Sequence, residues 1–153
     1  MSNIIIIGSG ARECAILMKL LQSNFARYYN FITVGVNANP FCVKKSRFIL
    51  VENYNLSTIQ ELDIFVDVKC VIIGPEAPIV SGLGNWLQDN GIFVFAPTKE
   101  NAKIESSKGF ARKIIESNIN SKFNPRFQII SDNNVDLCQR LKSIKETFKS
   151  DIV

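Results

Sequence analysis

Asn3-Ile-Ile-Ile-Ile-Gly-Ser-Gly-Ala-Arg-Glu13 opens the chain with four isoleucines and then two glycines separated by one serine. Four β-branched residues in a row cannot alternate between a wet and a dry face. The run therefore reads as a strand buried on both sides, as in a parallel sheet covered by helices. Gly8 and Gly10 let the backbone turn sharply into a helix over about residues 12–24. There Cys14, Leu17, Met18 and Leu21 fall at i, i+3, i+4 and i+7 and make one apolar stripe.

The same alternation continues outward. Phe31 to Gly35 and Phe48 to Val51 read as strands, with the polar turn Asn37-Ala-Asn-Pro40 between them. Ser57-Thr-Ile-Gln60 has capping-box spacing and predicts a helix to about Val66. Cys70 to Ile73 is a further apolar strand ending at Gly74-Pro75. A helix carrying Leu83, Trp86 and Leu87 should stop at Gly91, and Ile92 to Ala96 should form the next strand. Short apolar strands alternating with helices predict an α/β fold: a doubly wound parallel sheet with helices on both faces and right-handed crossovers.

After Pro97 the character changes. Thr98 is placed to cap a helical stretch, and Ser106 to Ser117 reads as a basic helix. Asn118 to Pro125 reads as a linker, Phe127 to Ile130 as a strand, and Val135 to Phe148 as a helix with the stripe Cys138, Leu141, Ile144, Phe148. Asp151-Ile-Val153 resembles the beginning of a strand, which predicts an incomplete second domain. The expected organisation is a first domain over 1–97, a helical connector over 98–125 and the start of another domain over 126–153.

Composition narrows the function classes. At 153 residues the chain holds one well-buried domain and the beginning of a second. Its net charge of +4 is mild, and no Lys/Arg stripe is interleaved with aromatics, so no nucleic-acid partner is expected. The Ile4–Ile7 run is too short to cross a bilayer and Met1-Ser2-Asn3 carries no basic cluster, so the expectation is a cytoplasmic protein without a membrane partner. Cys14, Cys42, Cys70 and Cys138 are far apart and there is no histidine; buried free thiols are expected rather than a zinc site. Without imidazole, Ser-His-Asp and Cys-His chemistry are excluded.

The chemistry must come from local motifs. Gly8-Ser9-Gly10-Ala11-Arg12-Glu13 lies between a strand and a helix, where backbone N–H groups of the first turn can face an anion. Arg12 can grip a phosphate with two parallel hydrogen bonds. The third glycine of a dinucleotide fingerprint is missing, because Glu13 stands there. A carboxylate at that position repels a pyrophosphate but accepts bonds from sugar hydroxyls or an amine. Gly74-Pro75-Glu76-Ala77-Pro78 follows another buried strand, so it belongs on the same sheet edge and presents Glu76 from a turn stiffened by prolines. Asn37 and Asn39 occupy the polar turn after the second strand, a place suited to a ribose or a phosphate. Lys108 sits early in a helix, which is unfavourable for a cation unless it serves an anion.

Taken in order, these motifs resemble the N-terminal region of the glycinamide ribonucleotide synthetase (phosphoribosylamine–glycine ligase) family of ATP-grasp enzymes in purine biosynthesis. The family's G-x-G-[GA]-R-E-H-A is similar to Gly8-Ser-Gly-Ala-Arg-Glu-Cys-Ala15, and its G-P-E-A-P-L-V to Gly74-Pro-Glu-Ala-Pro-Ile-Val80. Its G-P-T-K and L-E-x-S-K-x-F-A-[RK] are similar to Ala96-Pro-Thr-Lys99 and Ile104-Glu-Ser-Ser-Lys-Gly-Phe-Ala-Arg112. The Asn-x-Asn-Pro turn is similar to that of one branch of the family.

The resemblance implies a Rossmann-like domain preceding the start of an ATP-grasp domain. It further implies a pocket for 5-phosphoribosylamine formed by Gly8, Ser9, Gly10, Ala11, Arg12, Glu13, Asn37, Asn39, Gly74, Pro75 and Glu76. Lys108 matches the first of two ATP-phosphate lysines. ATP, Mg2+ and glycine would be bound mainly outside this stretch, with no catalytic residue and no metal ligand within it. The implied protein is a monomer acting on small molecules, and the 153 residues alone should be inactive as a ligase. Two departures stand out: Cys14 replaces the family's usual His and reads as a packing position, and Ala96 replaces a common Gly. The competing readings are a Rossmann-type dehydrogenase or nucleotide sensor, disfavoured by Glu13 and by the lack of an acidic residue after the second strand, and a non-catalytic relic of the ligase.

Overall fold

The computed structural model describes residues 1–118, 121–130 and 136–148 and divides them between two compact units, Met1–Ser106 and Ser107–Val153. The first unit runs β1 (Ser2–Ile7), α1 (Ala11–Leu21), β2 (Tyr29–Gly35), α2 (Pro40–Lys45), β3 (Arg47–Leu50), α3 (Leu56–Gln60), β4 (Val68–Ile73), α4 (Glu76–Val80), α5 (Leu83–Asp89), β5 (Val94–Phe95) and α6 (Lys99–Ser106). The five strands form one parallel sheet in the order β3-β2-β1-β4-β5. The isoleucine run is thus the central strand, hydrogen-bonded on both sides.

Its side chains divide between two cores, because alternate residues of a strand face opposite ways. Ile5 and Ile7 pack with Ile32, Val34, Val71 and Ile73 beneath Ile59 of α3, Ile79 of α4, and Leu83 and Leu87 of α5. Ile6 and Phe31 pack on the other face with Leu17 of α1 and Cys42 of α2. Helices therefore cover both faces. Burial of each of these aliphatic side chains contributes about 1.5–3 kcal/mol, so the two-sided central strand is the thermodynamic centre of the unit.

Several local expectations change. On α1 the stripe runs through Leu17, with Cys14 and Leu21 beside it, while Met18 is exposed. The helix expected from Ser57 is α3, which starts one residue earlier and ends at Gln60; Asn55, not Ser57, stands at its N-cap. The polar bonds there come from upstream, where Asn53 Oδ1 accepts from Asn55 N–H at 2.9 Å and from the Thr58 hydroxyl at 2.9 Å. Two short helices were not foreseen: α2, which begins at the last residue of the stretch read as turn, and α4, which begins within the proline-stiffened loop and runs on to Val80. Gly91 follows the C-cap Asn90 at φ +74°, as a helix-ending glycine should.

Thr98 does open α6, its hydroxyl accepting from Asn101 N–H at 3.3 Å. That helix belongs to the first unit, where Ala102 joins the core, so the unit extends past Pro97 to Ser106. The second unit contains α7 (Lys108–Asn118), a 3-10 turn at Ser121–Phe123 and α8 (Leu137–Phe148). Asn124 ties that turn to α7, donating to the Arg112 carbonyl at 2.9 Å and accepting from Arg112 Nη1 at 3.3 Å. The strand expected over Phe127–Ile130 is absent: these residues are coil without a ladder partner among the described residues. On α8 only Ile144 of the expected stripe is buried, whereas Cys138 and Leu141 are exposed. The expected start of a strand at Asp151–Val153 lies outside the described residues, as do residues 119–120 of the expected linker. No helix among the described residues is long and apolar enough to cross a membrane.

Candidate functional site

Strand order places the site. From β1 the chain winds outward to β2 and β3, then returns to β4 on the opposite side of β1. The carboxyl ends of β1 and β4 therefore flank a topological switch point, where open α/β sheets leave a crevice for ligands. Their ends are level, since Ile7 pairs with Ile73 and Gly74 N–H donates to the Ile7 carbonyl at 3.0 Å. On the other flank Gly8 N–H donates to the Val34 carbonyl at 2.7 Å, which anchors the loop to β2.

Glu13 joins these loops. It is the third residue of α1, and its Oε2 accepts from the backbone N–H of Gly10, the N-cap, at 2.8 Å. This is the reach-back half of a capping box. Its Oε1 lies 3.3 Å from Arg12 Nε and has no hydrogen-bond partner of its own. Only 3% of Glu13 is exposed, because it occupies the space three glycines leave open. A Cβ on Gly74 would stand 2.5 Å from Glu13 Cγ and Cδ. One on Gly10 would meet Oε2 at 2.9 Å, and one on Gly8 would meet Glu13 Cγ at 2.7 Å and Pro75 Cδ at 2.8 Å. Gly8 also holds φ at +121°, a region closed to other residues without strain.

The turn after β2 joins the same edge. Asn39 caps α2 through Oδ1, which accepts from Phe41 N–H at 3.0 Å, while its Nδ2 donates to the Ser9 carbonyl at 3.1 Å. The Ser9 side chain is buried against Gly35, where a Cβ would overlap it. Gly35 was missed in the sequence; its signal was a glycine at the very end of a buried strand. Asn37 contributes its carbonyl to Asn39 N–H at 2.9 Å and is exposed.

Of the residues singled out by sequence, Gly8, Ser9, Gly10, Arg12, Glu13, Asn39, Gly74 and Pro75 are thus connected at one edge, with Ala11, Asn37 and Glu76 exposed beside them. Arg12 is 63% exposed, and among the described residues no hydrogen bond engages its outer guanidinium nitrogens. Glu76 opens α4 with Pro75 as its N-cap. The placement of Glu13 differs from the expectation of a carboxylate facing the ligand, and the Gly10 N–H serves Glu13 instead of an anion.

Lys108 lies in the second unit at the start of α7, exposed, next to Ser107, whose hydroxyl accepts from Phe110 N–H at 3.3 Å. Among the described residues no cluster of three Cys, Asp or Glu side chains fits a metal ion. Burial pushes the Cys42 thiol up, with Cys14 beside it acting in the same direction; burial likewise raises Cys70. Hydrogen bonds from the start of α6 and from Asn85 hold the Glu100 carboxyl below its usual range.

At the opposite end of the sheet, where the strands begin, an open groove of about 600 Å³ is lined by Tyr29, Asn30, Lys44, Lys45 and Arg47. None of the glycine-loop residues lines this groove.

Residues 2–105 match the family model described as phosphoribosylglycinamide synthetase, N domain. A phosphoribosylamine–glycine ligase of Methanocella arvoryzae is 34% identical over 141 residues, covering 92% of this chain and 32% of that protein. A bifunctional purine biosynthetic protein of Dictyostelium discoideum is 35% identical over 134 residues, covering 87% of this chain and 16% of that protein. The chain thus spans about a third or less of the length of these curated relatives. Among solved structures, N5-carboxyaminoimidazole ribonucleotide synthetase from Thermotoga maritima shares the fold with TM-score 0.60 at 14% identity, over 96% of this chain and 36% of that one. Phosphoribosylglycinamide synthetase from Anaerococcus prevotii does so with TM-score 0.60 at 15% identity, over 95% and 34%. With two thirds of its length inside the family model and its glycine loops meeting at the sheet's switch point, the chain belongs to the phosphoribosylglycinamide synthetase N-domain family.

Proposed function

We propose that this domain holds 5-phosphoribosylamine for an ATP-dependent ligase that joins it to glycine, giving glycinamide ribonucleotide in purine biosynthesis. In that reaction a phosphoryl group passes from ATP to the glycine carboxylate. The amine of phosphoribosylamine then attacks the acyl phosphate and displaces phosphate, leaving ADP. The observation that carries the reading is the contact of Glu13 with Gly8, Gly10 and Gly74, which joins two strand-end loops at one sheet edge.

Within it we assign the substrate phosphate to Arg12, whose outer nitrogens can form a bidentate pair. The sugar falls to the exposed polar groups of Asn37 and Glu76, while Asn39, its amide engaged by Ser9 and Phe41, shapes the turn that carries Asn37. Their share of catalysis is alignment: an amine held in line with its acyl partner reacts as if at very high local concentration. Lys108 is assigned to the phosphates of ATP. Mg2+ would supply charge neutralisation when bound, and this chain's own contribution is binding and orientation. A cytoplasmic, monomeric enzyme acting on small molecules completes the reading.

Isothermal titration with ribose 5-phosphate, a stable stand-in for phosphoribosylamine, tests it. Saturable binding that Arg12→Ala weakens at least tenfold is the expected result. No binding, or binding indifferent to Arg12, removes the reading.

A further inference from the structure

We infer that Glu13 is a specificity-determining residue, whose carboxylate takes the place of a dinucleotide pyrophosphate at the first βα turn and so shuts this Rossmann-like domain to nucleotides such as NADH. The inference rests on the sugar-phosphate reading for what the site admits, and only on the geometry of Glu13 for what it excludes.

The argument starts from what a pyrophosphate needs there. In a Gly-x-Gly-x-x-Gly turn the second glycine lets the diphosphate approach the backbone, the third lets helix and strand pack closely, and the helix N–H groups supply the charge complement. This chain keeps the first two glycines as Gly8 and Gly10 and carries Glu13 in place of the third. The side chain of Glu13 does not turn outward. It folds back over the loop, puts Oε2 on Gly10 N–H at 2.8 Å, and lies against the bare faces of Gly8, Gly10 and Gly74. The face of Gly10, the second glycine, is the one a diphosphate would approach, and Glu13 Oε2 occupies it.

Two further facts separate this from ordinary helix capping. A capping glutamate on a surface helix is largely hydrated, whereas Glu13 is 3% exposed. Its Oε1 is also buried without a hydrogen bond and has only Arg12 Nε at 3.3 Å. A buried acceptor left this way destabilises the fold. The arrangement excludes a second anion in two ways, by volume and by charge. It also engages Arg12 at Nε and leaves the outer end of the guanidinium to a ligand lying beyond the helix end. A single terminal phosphate can be met there; a diphosphate pressed onto the turn cannot.

Glu13→Gly restores the third fingerprint glycine and empties the cradle. Fluorescence titration with NADH and calorimetric titration with ribose 5-phosphate are run on the wild-type chain, on Glu13→Gly and on Glu13→Ser, which keeps a hydroxyl near Gly10 N–H; circular dichroism melts identify the folded variants. The expected result is no saturable NADH binding by the wild type up to millimolar concentration and at least tenfold tighter binding by a folded variant. Saturable micromolar NADH binding by the wild type overturns the inference, as does a folded variant that binds NADH no better than the wild type. The ribose 5-phosphate arm reports separately on the proposed function: its failure in the wild type removes that reading and leaves the NADH comparison standing.

Discussion

The carboxyl group of Glu13 rests against the Cα of Gly74, sixty-one positions later in the chain, so closely that even a methyl group on Gly74 would overlap it. This contact holds the loop after β1 against the loop after β4, and stability measurements can detect it. Gly74→Ala is expected to lose about 2–3 kcal/mol by overpacking. Glu13→Ala is expected to lose about 1–3 kcal/mol, because Gly10 N–H loses its acceptor. In urea melts the double variant should lose at least about 1 kcal/mol less than the sum, since removing Glu13 makes room for the new methyl. Strict additivity would mean that the two residues do not share this space.

Core energetics should follow the central strand. Leu17, fully buried on α1 against Ile6, should cost about 2–5 kcal/mol as Leu17→Ala, while Met18→Ala on the exposed side of the same helix should stay within about 0.5 kcal/mol. Equal effects in denaturant titrations would contradict the two-sided packing described above.

The parallel sheet was legible in the sequence because its strands carry short apolar runs, Ile4–Ile7 and Cys70–Ile73 above all, that do not alternate between polar and apolar residues. The short helices α2 and α4 were not, since five or six residues are too few to show a 3.6-residue period, and their prolines read equally well as turns. Phe127–Ile130 failed for the opposite reason: an apolar run signals a strand only if a neighbour completes the ladder, and here Ile129 and Ile130 are each about 40% exposed. That the two glycine-marked loops share one sheet edge was legible through Gly-x-Gly and Gly-Pro-Glu at strand ends. What spacing could not reveal was that Glu13 points into the protein, because that depends on Gly74, far along the chain.

Thiol chemistry gives a pH prediction. Burial raises the Cys42 thiol above its ordinary value of 9.0, so the folded state favours the protonated form. The associated stability is fully present below pH 9.0 and is lost as pH rises through the folded-state value. Stability should therefore fall in the alkaline range, and Cys42→Ala should flatten that fall while lowering stability at neutral pH through lost packing. At pH 7.5, Ellman's reagent should label exposed Cys138 at once and buried Cys42 only on unfolding. Equal labelling rates would contradict the placement of Cys42.

The 153-residue chain by itself should form no ADP when supplied with ATP, Mg2+, glycine and phosphoribosylamine. It spans about a third of the length of the Methanocella relative. A coupled ADP assay checks this; turnover would show a complete active site within these residues.

The most direct test of the sugar-phosphate site is a two-dimensional amide NMR titration of the chain with ribose 5-phosphate. Shifts concentrated at Gly8–Glu13, Asn37–Asn39 and Gly74–Glu76 are predicted. Shifts centred instead on the Lys44–Arg47 groove at the other end of the strands, or none at all, would contradict it.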